Sequence, residues 1–173
     1  MWYRLSNLIA IMNKFLFSEE EGRREFKSFL DQSKSSSDWQ PTKDPSDTVD
    51  GFFKLNNKKI VVEIKTRDSK YLNYSTHVME INKYMNMTKQ KIDNNCYTGL
   101  YVNIFGDLNK GIYDTMYIYN LKDINSSNCE MSVTYANRTT AKNTGKVSKQ
   151  FYLIPARYAQ KFKKIDNKWI QIN

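Results

Sequence analysis

Asp50, Glu63 and Lys65 are the residues whose types and spacing can do chemistry together. They fall on two β-like runs, residues 48–55 and 59–66, separated by Asn56-Asn57. Asparagine tolerates positive φ, so an Asn-Asn pair between such runs predicts a tight hairpin turn. With those two residues as the loop, Leu55 faces Lys58, and counting outward sets Asp50 opposite Glu63. Lys65 lies two residues beyond Glu63 and points to the same face. Directly opposed residues have Cβ atoms about 5 Å apart, and like charges that close are destabilising unless something neutralises them. A divalent cation is the natural candidate.

Two carboxylates and an ammonium at one point suit phosphodiester hydrolysis. That reaction needs a deprotonated water, stabilisation of extra charge on phosphorus, and neutralisation of the leaving oxygen. Hard oxygen ligands select Mg²⁺ or Mn²⁺, and Mg²⁺ keeps several waters of its own. Asp50 and Glu63 are the expected ligands, and the Ile64 carbonyl lies within reach as another. Lys65 can position the water and offset phosphate charge without ever being neutral.

The elements that must position these groups read as one α/β (α+β) domain. Ser18-Glu19-Glu20-Glu21 has the form of a capping box and predicts a helix over 18–32, with Phe26, Phe29 and Leu30 as its buried stripe. Residues 33–45 are polar, with a serine run and two prolines, and predict a loop. A second helix is expected over 77–93, capped by Ser75 or Thr76, with Val78, Ile81, Met85, Thr88 and Ile92 facing inward. Strands are expected at 97–105, 112–121, 131–136 and 151–154, a helix at 156–162, and a packed end at 169–172. Ahead of all this, Leu5, Leu8, Ile9, Met12, Phe15 and Leu16 form one apolar stripe, predicting an amphipathic helix over 1–17. That segment is too short and too interrupted to span a bilayer.

Asp50, twelve intervening residues, and then Glu63-Ile64-Lys65 resemble the PD-(D/E)XK nuclease superfamily. Val61-Val62 resemble the buried strand that precedes its triplet. The superfamily includes restriction endonucleases, junction resolvases and phage exonucleases. The resemblance spans residues 18–105 and implies a restriction endonuclease-like core, a central mixed β-sheet flanked by helices. It also implies Mg²⁺-dependent hydrolysis, with metal ligation by Asp50 and Glu63 and a catalytic Lys65. One departure is plain: Val49, not proline, precedes Asp50, and Asp47 is a rival carboxylate. On a continuous strand Asp47 would face away from Asp50. Many members add a glutamate from the first helix. Glu19, on the face of Phe26 and Leu30, is the first expectation here and Glu25 the second, while Glu21 is accounted for by the capping box.

Charge alone is compatible with a solvated basic tail, but a basic segment beside a candidate metal site suggests a polyanionic partner. The chain carries a formal +9, and residues 131–173 hold nine Lys/Arg against one acid, Asp166. Arg67, Lys70, Arg138, Lys142, Lys146 and Lys149 are expected nucleic-acid contacts, all to the backbone and so without sequence information. Lys83, Tyr84 and Gln90 read as surface residues of the second helix, and His77 has no evident role. Two cysteines, Cys96 and Cys129, lack any CxxC partner and fit a reduced, cytoplasmic protein. One histidine argues against histidine-dependent nuclease chemistry. The expectation is a DNA nuclease, structure-selective or weakly sequence-specific, with no membrane partner. A homodimer is compatible, since two strands must be cut. An RNA endonuclease on the same scaffold and a non-catalytic nucleic-acid-binding module are the alternatives.

Overall fold

The computed structural model describes residues 18–43, 47–137 and 145–173. The expected helix over 1–17, and Arg138 and Lys142, lie outside them. In chain order the elements are α1 (residues 18–31), β1 (Ser36–Pro41), β2 (Gly51–Leu55), β3 (Lys58–Asp68), β4 (Thr76–Glu80), α2 (Ile81–Asp93), β5 (Thr98–Asp107), β6 (Ile112–Asn120), β7 (Glu130–Asn137), β8 (Lys146–Pro155), β9 (Gln160–Ile165) and β10 (Lys168–Ile172). A seven-stranded mixed sheet runs β1-β2-β3-β5-β6-β9-β10, and a three-stranded sheet runs β4-β8-β7. The domain is mixed α+β and mostly strand.

The hairpin forms in the expected register. Asn56 and Asn57 take φ of 50° and 62°, and Leu55 pairs with Lys58. The ladder continues to Gly51 opposite Val62, one step short of Asp50 and Glu63. β3 is the centre of the sheet. It pairs antiparallel with β2 and parallel with β5, and α2 belongs to the crossover between β3 and β5. Alternation along β3 then sorts its residues by face. Ile60, Val62 and Ile64 join Phe26 and Leu30 of α1 in one core, with Phe53, Val102, Ile104, Phe162 and Trp169. Val61 joins Met79, Met87, Tyr101, Tyr119 and Ile154 in a second core beneath α2 and the small sheet.

Several expectations are corrected. Residues 36–41 are strand, not loop, because β2 offers an unpaired edge and backbone pairing overrides the polar composition. Residues 76–80 are strand rather than the start of a helix, because they pair with β8. Helix α2 therefore begins at Ile81, with Glu80 as its N-cap residue. The expected inner face is turned outward: Met85 and Ile92 are 61% and 71% exposed, while Met87 is fully buried. The helix expected over 156–162 is one 3-10 turn, Ala156–Tyr158, followed by β9, which pairs with both β6 and β10. Trp169 does pack back, as a buried residue of β10.

Strand β4 is fastened across the sheet by a polar network. Arg67 Nε donates to Asn103 Oδ1 (2.6 Å), and Nη2 donates to the Val78 carbonyl and to the Tyr101 hydroxyl (2.8 Å each). Tyr101 also donates to the Val78 carbonyl (2.9 Å). His77 is buried, with Nδ1 2.6 Å from the Tyr119 hydroxyl. Burial, then the charges of Arg67 and Lys161, hold its imidazole down at about 4, against an ordinary 6.5. A depressed base stabilises the fold fully above its unfolded pKa and loses that contribution as pH falls through the folded value. Stability should therefore drop by roughly 3 kcal/mol on this account between pH 7.5 and pH 4. Urea unfolding across that range should show the slope in the wild type and most of it gone in His77→Gln. An equal slope in both would contradict the assignment.

Candidate active site

The local sequence of β3 sets an acid in the middle of a buried strand. Val61, Val62 and Ile64 drive the strand inward on both faces, and Glu63 goes with them to 1% exposure. Its neighbour on the hairpin, Asp50, is buried at the head of β2. Asp50 is held there by backbone on two sides. Its N–H donates to the Val62 carbonyl (3.0 Å), and its carbonyl accepts from Thr42 N–H (3.0 Å). Its carboxylate accepts from Ile64 N–H at Oδ2 (2.7 Å). Gly51 lets β1 lie close against β2 beside Asp50, since a Cβ there would lie 2.7 Å from the Gln40 carbonyl and 2.8 Å from the Trp39 ring.

Three cations surround the two acids. Lys65 Nζ is 2.9 Å and Lys83 Nζ 3.1 Å from Glu63 Oε1. Lys83 also reaches the Thr48 carbonyl (3.4 Å). Arg23 donates to Asp50 Oδ1 from Nε (3.1 Å) and Nη2 (2.9 Å), and to the Thr42 carbonyl from Nη1 (3.1 Å). Helix α1 comes close enough for this because Gly22 faces β3: a Cβ there would be 2.9 Å from Thr66 Cγ2 and 3.2 Å from Ile64 Cγ2.

The electrostatics follow from burial. Desolvation pushes the Glu63 carboxyl above its usual range, aided by Asp50 and opposed by Lys65 and Lys83. Burial pulls the Lys65 ammonium down, but Glu63 and Asp50 outweigh it and hold it above the usual lysine range. Lys65 is therefore a fixed cation at neutral pH. Among the described residues neither Glu63 oxygen has a hydrogen-bond donor in bonding geometry; the two lysines meet Oε1 as ion pairs only. An orphaned carboxylate oxygen beside a second carboxylate is what a hard cation would satisfy, and so the donor set fits one Mg²⁺ or Mn²⁺. Among the described residues no group of three or more His, Cys, Asp or Glu side chains could hold a metal.

The structure brings Asp50, Glu63 and Lys65 together and adds Arg23 and Lys83, which the sequence reading did not select. Lys83 sits in the first turn of α2, and the mistaken start of that helix hid its direction. Glu19 is exposed on α1, and Glu25 is drawn away to Lys164 on β9 (2.7 Å). Glu21 is buried and ion-paired with Arg24, and the Ser18 hydroxyl bonds to Thr66 Oγ1 on β3. Asp47 is exposed. Arg67 is committed to the β4 network above. Lys70 is exposed, 3.7 Å from Asp68 and over the Tyr71 ring. Lys149 pairs with Glu80 (2.9 Å), while Lys146 is exposed at the start of β8. Lys163 pairs with Asp114 (3.1 Å), so with Lys149 and Lys164 three of the nine basic residues of this segment carry ion pairs within the domain. Cys96 and Cys129 are free and buried. Among the described residues no helix is long and apolar enough to cross a membrane.

No protein-family model matches the chain, and no curated protein matches it.

Glu63 burdens the fold when it is charged. An acid with a raised folded pKa adds stability only below its unfolded value, near 4.5, and loses it as pH rises through the folded one. In metal-free buffer, Glu63→Gln should unfold at a higher temperature than wild type at pH 8, and the difference should shrink by pH 4.5. A lower midpoint at pH 8 would show instead that the Lys65 and Lys83 pairs outweigh the burial.

Proposed function

We propose that the protein is a divalent-metal-dependent nuclease that hydrolyses DNA phosphodiester bonds with structural or weak sequence selectivity. The observation that carries this reading is the convergence of Asp50, the buried Glu63 and the cationic Lys65 where β2 and β3 meet. The element order supports it. Helix α1, the β1-β2-β3 meander, α2 and a β5 parallel to β3 resemble the helix, motif hairpin, helix and strand of the PD-(D/E)XK superfamily. Restriction endonuclease-like architecture is thus part of the proposal.

In this reading Asp50 and Glu63 hold the cation, with the Ile64 carbonyl as a neighbouring oxygen donor. When bound, Mg²⁺ or Mn²⁺ supplies Lewis acidity and lowers the pKa of water. Lys65 stays an ammonium. Already protonated, it has no lone pair with which to take a proton, so it orients the attacking water and offsets charge on the phosphate oxygens. Lys83 lies beside it on the same carboxylate oxygen and can turn to the same phosphate. Lys146, exposed on β8, remains available for nucleic-acid backbone farther out. The DNA reading has an RNA endonuclease as its alternative, and matched DNA and RNA substrates separate the two.

A non-catalytic nucleic-acid-binding module is favoured by one specific observation, that cations outnumber carboxylates at the site. Against it, a pure binder gains nothing from buried carboxylates beside phosphate. Offered linear, nicked, branched and single-stranded DNA in Mg²⁺ and Mn²⁺, the wild type should cut at least one of them. Glu63→Ala and Lys65→Ala should each reduce cleavage by about 100-fold or more, with circular dichroism unchanged. Undiminished cleavage in both variants would sink the nuclease reading. Salt-sensitive binding with no cleavage under either ion would establish the module.

A further inference from the structure

We infer that Arg23 holds Asp50 in its metal-binding orientation and limits the centre to a single divalent cation. The inference rests on the nuclease reading and deepens it. A second cation needs a third anionic ligand, and the first helix is the element placed to supply one. Here α1 supplies the opposite charge. The three guanidinium nitrogens are all engaged, Nε and Nη2 on Asp50 Oδ1 and Nη1 on the Thr42 carbonyl. Asp50 Oδ2 is turned to Ile64 N–H. A cation can share the remaining lone pairs of Asp50, but a second one across Oδ1 would meet the guanidinium directly.

The glutamates of α1 cannot replace it. Glu19 and Glu20 are exposed, Glu21 is paired with Arg24, and Glu25 is paired with Lys164. The charge balance agrees. Arg23, Lys65 and Lys83 outnumber Asp50 and Glu63 before any metal arrives. One divalent ion beside the orphaned Glu63 Oε2 completes the pair of acids. The first ion enters by displacing Lys65 and Lys83 from Glu63, whereas a second would face both that ion and the Arg23 guanidinium with no acid left to hold it, and like charges in a partly desolvated pocket repel strongly. Arg23 is thus a positioning residue, acting through Asp50. Its guanidinium geometry matters, because a planar fork can hold a carboxylate oxygen and a carbonyl at once.

The test counts ions rather than products. Isothermal titration of the full chain with Mn²⁺, with electron paramagnetic resonance of the free ion as a check, should give one ion per chain. Glu63→Gln should abolish that binding. Arg23→Glu, which turns the guanidinium into a third acid, should bind two. Arg23→Gln removes the charge yet keeps an amide donor, so it should still bind one ion, about five- to tenfold more tightly. Thermal unfolding with and without Mn²⁺ confirms that each variant is folded. Two ions in the wild type, or one ion in a folded Arg23→Glu with unchanged affinity in Arg23→Gln, would overturn the inference and leave the nuclease reading standing. No Mn²⁺ binding in the wild type, or binding indifferent to Glu63→Gln, would overturn the nuclease reading and the inference with it.

Discussion

The structure turns on one buried carboxylate. Glu63 lies at the centre of β3, almost wholly removed from water. An ionised carboxylate in that position is expensive to desolvate and must be answered by opposite charge. Two lysines form ion pairs with Oε1, one from the same strand and one from α2, yet among the described residues neither oxygen has a hydrogen-bond donor in bonding geometry. That incomplete compensation is a poor way to stabilise a core. Under the proposed nuclease reading it keeps a ligand oxygen ready, and buried ionisable groups with perturbed pKa values cluster at functional sites.

The rest of the fold brings charge to that point from both faces of one sheet. Helix α1 covers the side of Ile60, Val62 and Ile64, and its Gly22 lets it approach until Arg23 reaches Asp50. Helix α2 and the small sheet cover the other side, and the first turn of α2 brings Lys83 to Glu63. The two carboxylates sit where these halves meet. Arg67, expected to touch phosphate, instead ties β3 and β5 to β4, and so helps position the strand that leads into α2. The site and its scaffold are therefore one electrostatic construction, in which most cations near the acids are already partnered.

The hairpin was legible because its signals are local. Two asparagines that accept positive φ set the turn, and alternation from that turn sorted every residue of β3 to its face. What failed was non-local. Val78, Ile81, Met85, Thr88 and Ile92 have helical spacing, yet Val78 belongs to a strand because β8 pairs with it from more than seventy residues away. Residues 36–41 and 160–165 became strands for the same reason, each completing an edge that the sequence does not announce. Arg23 was not legible because an arginine among four glutamates at the start of a helix has the form of a solvated surface charge. The available signal was Gly22, an isolated glycine in a helical run, which costs about 1 kcal/mol relative to alanine and so hints at a packing constraint.

The proposed chemistry needs a hard cation between Asp50 and Glu63, and locating that cation is the most direct test. Crystals soaked in Mn²⁺ and measured at its absorption edge should show one anomalous peak about 2.2 Å from an oxygen of each carboxylate. Lys65 and Lys83 should then have turned away from Glu63 Oε1. A map with no peak there, and both lysines still on Glu63 at saturating Mn²⁺, would contradict the account.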